Sequence, residues 1–315
     1  MKIFIELPSW LGDTVMATPA LENLVKKYEN PEITLMGSYI AIESLKHHPA
    51  VNQTYISDKG YLSILKLAKN VGKFDIFFSF RSSFRSKVFK LFINSKKKYQ
   101  YSKDNFQNLH QVEKYNEFIN ESLNTKFSAG HLNIHSDLVS LKKTNFNSSQ
   151  KLTLGINPGA SYGKAKCWYP EEFAAVAAKL SSKFDINILG GPNDKNIAMD
   201  IETLLIKKGI TNFKNLAGTT SINELIKHIS NLDLFITGDS GPMHIAACYQ
   251  IPTISIFGPT RDNETSQWMN AKSIVVKKSL DCQPCMKRTC PLIHHNCMKL
   301  IKAKDVLKEV ESFNL

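Results

Sequence analysis

The feature that most constrains this chain is a junction that recurs along it. A short apolar run breaks into a loop rich in glycine, serine and aspartate, and a helix departs from that loop. Residues 3–7 (IFIEL) run into PSWLGD at 8–13, and a helical pattern follows over 14–28 with Val15, Leu21, Leu24 and Val25 as apolar positions. Residues 152–157 (LTLGIN) run into a loop at 158–166, ahead of a helix over 171–180. Residues 234–237 (LFIT) run into GDSGP at 238–242, ahead of a helix over 243–249. Two more runs, 186–189 and 253–257, end in Gly190-Gly191-Pro192 and Gly258-Pro259-Thr260. Runs this short and apolar suit strands buried on both faces of a parallel sheet, and glycine suits backbone that must turn sharply at the strand end. Residues 32–36 and 74–80 read as further strands, 222–229 as a helix capped by Ser221 or Asn223, and 304–313 as a last helix. Strand, loop, helix and strand in this order predict an α/β fold with parallel sheets.

At roughly 100–200 residues per domain, a chain of this length makes two. The stretch 142–151 (KKTNFNSSQK) is polar and aperiodic and serves as the linker. It divides the chain into βαβ-type domains at 1–145 and 151–315, with the terminal helix free to pack back on the first. Ligands of open parallel sheets bind beyond the carboxyl ends of the strands. That rule gathers loops 8–13, 157–166, 190–194, 237–242 and 258–260 at such edges, around one cleft if the two sheets face each other.

Hydrophobic residues make up 43 % and charged residues 22 %, a balance that suits packed cores and excludes a disordered chain. Glu6 and Asp13 interrupt the first apolar run, so no secretory leader is expected. No stretch approaches the ~20 apolar residues of a membrane span. A cytoplasmic protein is the expectation, with its six cysteines reduced. The net charge of +12 is spread along the chain: 20 Lys/Arg against 13 Asp/Glu in residues 1–150, and 20 against 15 in the rest. Its densest part is Arg81, Arg85, Lys87, Lys90, Lys96, Lys97 and Lys98, with no acid between them. Such a cluster attracts a polyanion (nucleic acid, an anionic membrane surface or a phosphorylated glycan) or is simply a solvated helix face. No nucleic-acid recognition motif accompanies it.

Three loops hold residues fit for chemistry. Gly238-Asp239-Ser240-Gly241 lies between a strand and a helix, where free amides favour an anion. Asp239 itself suits sugar or ribose hydroxyls, or else caps the helix. The loop 157–166 (NPGASYGKAK) offers small residues, hydroxyls and two lysines, but has neither Walker nor dinucleotide-binding spacing. Lys166, close to Trp168, is either a phosphate ligand or a surface lysine beside a packing tryptophan. Asp13, at a helix start, is either a cap or a general base. The chain holds no D-x-D pair, which favours lysine and backbone amides over a metal for neutralising a pyrophosphate. Cys282, Cys285, Cys290 and Cys297, with His294 and His295 nearby, could bind zinc. Their spacing fits neither a paired C-x2-C set nor a finger, so a partly buried thiol cluster without a catalytic task is expected.

Together these loops resemble glycosyltransferase family 9, the bacterial lipopolysaccharide heptosyltransferases, over nearly the whole chain. The stretches that carry the resemblance are LPSWLGDTVMATPAL at 7–21, NPGASYGKAKCWYPEEF at 157–173 and GDSGPMHIAA at 238–247, with FGPT at 257–260. The first two, and C-x-P-C-x-x-R-x-C-P at 282–291, are most similar to the heptosyltransferase II branch. The resemblance implies a GT-B fold of two Rossmann-like domains whose parallel sheets face each other across a cleft. It implies an ADP-heptose donor and an inverting transfer without cofactor or obligatory divalent metal. The implied acceptor is a Kdo-heptose lipid A core at the inner leaflet of the cytoplasmic membrane. The implied enzyme is a monomer, cytoplasmic or peripheral to that membrane, with no nucleic-acid partner. By position in the motifs, Asp13 corresponds to the general base and Lys166 to the lysine on the donor phosphates. Ser161, Asp194, Asp239, Ser240, Gly241, His244 and Thr260 fall to the donor, with Asp194 toward the ribose. Trp10, Arg81, Arg85, Lys96, Lys97 and Lys98 fall to the acceptor. One departure is Tyr169, which separates Trp168 from Pro170 where many relatives have them adjacent. Heptosyltransferases I and III share these loops with other acceptors. A non-catalytic, two-lobed sugar-binding module would give no reason for Asp13 and Lys166.

Overall fold

The computed structural model describes residues 1–57, 60–139 and 151–315, so all but the last residue of the linker stretch 142–151 lies outside it. Two compact units emerge, Met1–Asp137 and Leu138–Leu315. In the first, strands β1 (Lys2–Glu6), β2 (Glu32–Gly37), β3 (Val51–Ile56), β4 (Phe74–Ser79) and β5 (Ser95–Gln100) form one parallel sheet in the order β3-β2-β1-β4-β5. In the second, β6 (Leu152–Asn157), β7 (Phe184–Ile188), β8 (Phe213–Asn215), β9 (Leu234–Gly238), β10 (Thr253–Ile256) and β11 (Ser273–Val276) form another, in the order β11-β10-β9-β6-β7-β8. Both are Rossmann-like, as expected of a GT-B chain. Each order reverses beside the unit's first strand, at β1/β4 and at β6/β9. Loops leaving the carboxyl ends there diverge to opposite faces and open a crevice.

Alternation along the strands builds the cores. On one face of the first sheet Phe4 and Phe77 pack with Phe89 of helix Phe84–Phe92 and with Ile64 and Ala68 of helix Tyr61–Asn70. The rings of Phe4 and Phe74 meet edge to face at 5.0 Å, the arrangement their quadrupoles favour. Phe78 meets Phe118 of helix Gln111–Leu123 at 6.1 Å, also edge to face. In the second unit the isoleucines and leucines of β6, β7, β9 and β10 pack with Phe173, Ala174, Val176 and Ala177 of helix Pro170–Leu180. Val306 and Val310 of the terminal helix Ala303–Glu311 join this core, so that helix packs within its own unit. Trp168 is buried there, its indole N–H donating to the Ile301 carbonyl at 2.9 Å.

Local chemistry redraws two expectations. The helix read over 14–28 is two helices, Leu11–Met16 and Thr18–Lys27, joined at Ala17. Pro19 has no N–H to give to the Val15 carbonyl, and the Thr18 hydroxyl takes that carbonyl instead at 2.8 Å. Lys96, Lys97 and Lys98 are not on a helix face; they lie in β5, the edge strand. Of the two possible caps for helix Ile222–Ser230, Ser221 is the one used, in a capping box with Glu224. Among the described residues no helix is long and apolar enough to cross a membrane.

Candidate active site

At the N-terminal crevice, β1 and β4 end side by side at Glu6 and Ser79. Beyond β1, Trp10 occupies the cap of helix Leu11–Met16, offers no side-chain cap and is 48 % exposed. Asp13 is therefore not the cap; it lies in the first turn, half-buried, where the helix dipole favours a negative charge. The Thr14 hydroxyl donates to the Trp10 carbonyl at 2.9 Å and fixes the turn. The Tyr115 phenol is pushed well above its usual range, first by burial and then by the charge of Asp13.

The sequence had shown Glu6 only as a break in an apolar run. It is buried, and it accepts from Ser79 Oγ at 2.6 Å and Ser86 Oγ at 2.8 Å, with Arg81 Nη1 at 3.8 Å. Burial pushes its carboxyl above the usual range, although both serines and the charges of Arg81 and Arg85 pull the other way. Arg85 donates to Ser57 Oγ through Nη2, and its Nε is buried with no partner among the described residues. Arg81 and Arg85 thus stand at the carboxyl edge of the sheet. Lys97 sits opposite Ile76, three residues back along β4 from Ser79, about 10 Å at the rise of a strand. Lys96 binds Asp75 at 2.7 Å, and Lys98 donates to the Leu91 carbonyl at 3.1 Å. The lysines of β5 are thus engaged along the edge strand and its neighbouring helix, while Arg81 and Arg85 stand at the carboxyl edge.

At the C-terminal crevice three loops converge. Asp239, just past β9, is buried. Its Oδ2 receives Lys166 Nζ at 2.5 Å, from the loop after β6, and Thr260 Oγ1 at 2.5 Å, from the loop after β10. The ring of Tyr162 lies 4.6 Å from Lys166 Nζ, a cation–π contact. Lys166 is thus no surface lysine: its side chain is only 12 % exposed. An ammonium has three protons to donate, so the Asp239 bond leaves Lys166 capacity for an anion. Asn157, at the end of β6, ties the loops together by donating to Gly159 O, Thr237 Oγ1 and Ser240 Oγ at 3.1–3.3 Å. Ser240 caps helix Gly241–Cys248, whose second turn holds the buried His244. Asp194 accepts from the Gly191 N–H at 2.8 Å and leans on Gly159, where an added Cβ would stand 2.0 Å from its carboxyl carbon. Only glycine fits there. Burial raises the Asp194 carboxyl above its usual range. Ser161 is exposed on the outer part of its loop. Tyr169 takes the cap position of helix Pro170–Leu180, so the extra residue is absorbed without disturbing Trp168.

The geometry joins Lys166, Asp239 and Thr260 directly, and Ser240 and Asp194 through Asn157 and Gly159, while Gly241 opens the helix that follows Ser240. Missing from the sequence analysis were Glu6, Asn157 and Tyr162. A lone acid inside a buried strand was the one available signal, and it pointed to Glu6.

Comparison with known proteins identifies the family. Residues 65–295 match the profile of glycosyltransferase family 9 (heptosyltransferase). The lipooligosaccharide heptosyltransferase 2 of Campylobacter jejuni subsp. jejuni serotype O:2 is 40 % identical over 315 residues, 99 % of this chain and 98 % of that one. The solved structure of E. coli ADP-heptose lps heptosyltransferase II superposes with a TM-score of 0.80 at 22 % identity, covering 99 % of this chain and 98 % of that chain. The E. coli heptosyltransferase WaaC with ADP gives 0.74 at 15 %, covering 99 % of each. At these identities the solved structures speak for the fold. The profile match and the full-length identity show more: this chain belongs to glycosyltransferase family 9, the heptosyltransferases.

Proposed function

We propose that the enzyme transfers L-glycero-D-manno-heptose from ADP-heptose to the first heptose of the lipopolysaccharide or lipooligosaccharide inner core, with inversion. The observation that carries the proposal is the meeting of Lys166, Asp239 and Thr260 at the carboxyl edge of β6, β9 and β10. That group offers a cation for a pyrophosphate and a carboxylate for sugar hydroxyls. Asp13 takes the proton from the acceptor hydroxyl as its oxygen attacks C1 of the heptose, help of a kind that contributes ~10²–10⁴-fold. Lys166 and the amides at the start of helix Gly241–Cys248 stabilise the charge that develops on the departing ADP. No divalent metal takes part in the transfer. Arg81 and Arg85 attract an acceptor that carries Kdo carboxylates and is presented at the inner leaflet, where the enzyme works as a peripheral monomer.

The test is product analysis by mass spectrometry with ADP-heptose, in EDTA, against cores bearing no heptose, one or two. One heptose should be added, and only to the core that already carries one. Transfer to the heptose-free core would assign the first transfer instead. Activity that returns only with Mg²⁺ or Mn²⁺ would overturn the metal-free mechanism.

A further inference from the structure

Residues 277–295 form no helix or strand, and they have almost no apolar core of their own. Ile293 is 90 % exposed and Leu292 56 %. In this mostly exposed stretch Cys282, Cys285 and Cys290 turn inward, and Cys297 is buried just beyond. All four line one cavity, and none forms a disulfide. A structureless segment of this length is uncommon in a compact unit. Yet this one grips the donor loops. The Tyr162 hydroxyl donates to the Met286 carbonyl at 2.7 Å, and Ala165 N–H to the Arg288 carbonyl at 3.1 Å. Met286 N–H donates to the Pro259 carbonyl at 2.8 Å, and Gln283 Nε2 to the Gly258 carbonyl at 2.7 Å. Gly163, at φ +152°, passes so close that an added Cβ would stand 2.5 Å from the Arg288 carbonyl oxygen. A segment without a core that must hold two loops in register needs a cross-link.

We infer that Cys282, Cys285, Cys290 and Cys297 form a structural site for one thiolate-preferring divalent ion, zinc or ferrous iron, which staples this segment over the loops carrying Lys166 and Thr260. Four sulfurs complete a tetrahedral shell and leave no open position, as in structural rather than catalytic sites. His295 is not required as a ligand, since its ring nitrogens already meet the Ala165 carbonyl at 2.9 Å and the Tyr169 hydroxyl at 3.2 Å. On binding, the four thiols release four protons to solvent and the ion gains four thiolates, giving a centre of net charge −2. Lys287 and Arg288, between the second and third sulfurs, offset that charge. Among the described residues one other group has its ligand atoms closer together: single atoms of Glu22, His48 and His135 fall within 4.8 Å of one another, a spacing that no three of the cysteine sulfurs reach, so the ion must draw those sulfurs in. There His48 Nδ1 accepts the Ala50 N–H at 3.1 Å, so the ring proton sits on Nε2, facing Glu22 at 3.4 Å. A protonated nitrogen is no ligand.

The test is elemental analysis of the full chain purified under reducing, anaerobic conditions from cells supplied with zinc and iron. One equivalent of either per chain is expected, and its identity separates the two ions. Titration of the wild type with a mercurial should release the ion in step with thiol modification, which keeps the test valid if substituted chains fold poorly. Cys285→Ser and Cys290→Ser should lose the metal and melt at lower temperature, while His48→Gln keeps its metal. Cobalt in the metal-depleted protein should give the intense visible bands of a tetrahedral thiolate. Less than about a tenth of an equivalent with no cobalt uptake, retention by both cysteine variants, or disulfides among the four would overturn the inference. None of these readouts depends on heptose transfer, so the two proposals fail separately.

Discussion

The two crevices of this enzyme each bury a carboxylate at the carboxyl edge of a parallel sheet, and they treat it in opposite ways. Glu6 ends β1 and is held by two serine hydroxyls, with Arg81 no nearer than 3.8 Å. Asp239 lies just past β9 and is held at 2.5 Å by a lysine and at 2.5 Å by a threonine, each from a different loop. Glu6 draws its partners from β4 and the start of helix Phe84–Phe92, which belong to the frame of the sheet. The partners of Asp239 belong to loops that can yield to a ligand. The same kind of crevice thus holds a brace in one unit and a reserve of opposed charges in the other. What differs is whether the neighbours are fixed in secondary structure or carried on loops.

The sharpest separation of the two crevices comes from Asp13→Asn. It should lower turnover by ~10²-fold or more, as loss of a general base does, while ADP binding measured by calorimetry stays unchanged. Turnover within a factor of about three of wild type would leave Asp13 as a first-turn acid complementing the helix dipole. Next, Lys166→Ala should weaken ADP and ADP-heptose alike by about 10- to 100-fold, the value of a charge-assisted hydrogen bond, with adenosine little affected. Equal losses for adenosine and ADP would place Lys166 away from the phosphates and reduce its bond with Asp239 to a second brace. Glu6→Gln tests the brace itself. Because burial raises this carboxyl in the folded state, its share of stability is full below the unfolded value near 4.5 and is lost as pH rises through the folded value. The variant should therefore gain on wild type as pH climbs from 4 to 8, by roughly the 2–4 °C that about 1 kcal/mol moves a melting temperature. A variant that loses stability at pH 7 would show an ionised Glu6 held by arginine, and the contrast with Asp239 would collapse. The smallest effect is expected from Lys96, Lys97 and Lys98 changed together to Gln. The acceptor KM should rise less than about threefold at low salt, and not at all once the screening length falls to ~8 Å. A large rise would bring the edge strand into the acceptor site.

What could be read from the sequence was what is written locally. GDSGP and NPGASYG announce themselves because glycine and proline mark sharp turns within a few residues, and β6 is legible to the residue because Leu152, Leu154 and Ile156 alternate through LTLGIN ahead of the turn. The bond between Lys166 and Asp239 has no local trace; it exists only because β6 and β9 are neighbours in the sheet. β5 was hidden because SKKK lacks the apolar run of an interior strand, and an edge strand does not need one. The break at Ala17 was written in Pro19, but an apolar pattern continuous across it concealed the break. The cysteine cluster was visible as a spacing, yet its bearing on the donor loops rests on hydrogen bonds from residues that look like filler.

β5 also carries a consequence for how these molecules live together. A terminal strand has one row of amides and carbonyls with no partner, an open template on which another molecule's strand can zip. Here that row is fenced by Lys96, Lys97 and Lys98, so two copies meeting margin to margin repel before their backbones can pair. The three glutamines that would scarcely trouble the acceptor would take the fence down, and the loss would appear as aggregation in the tube rather than as a slower reaction.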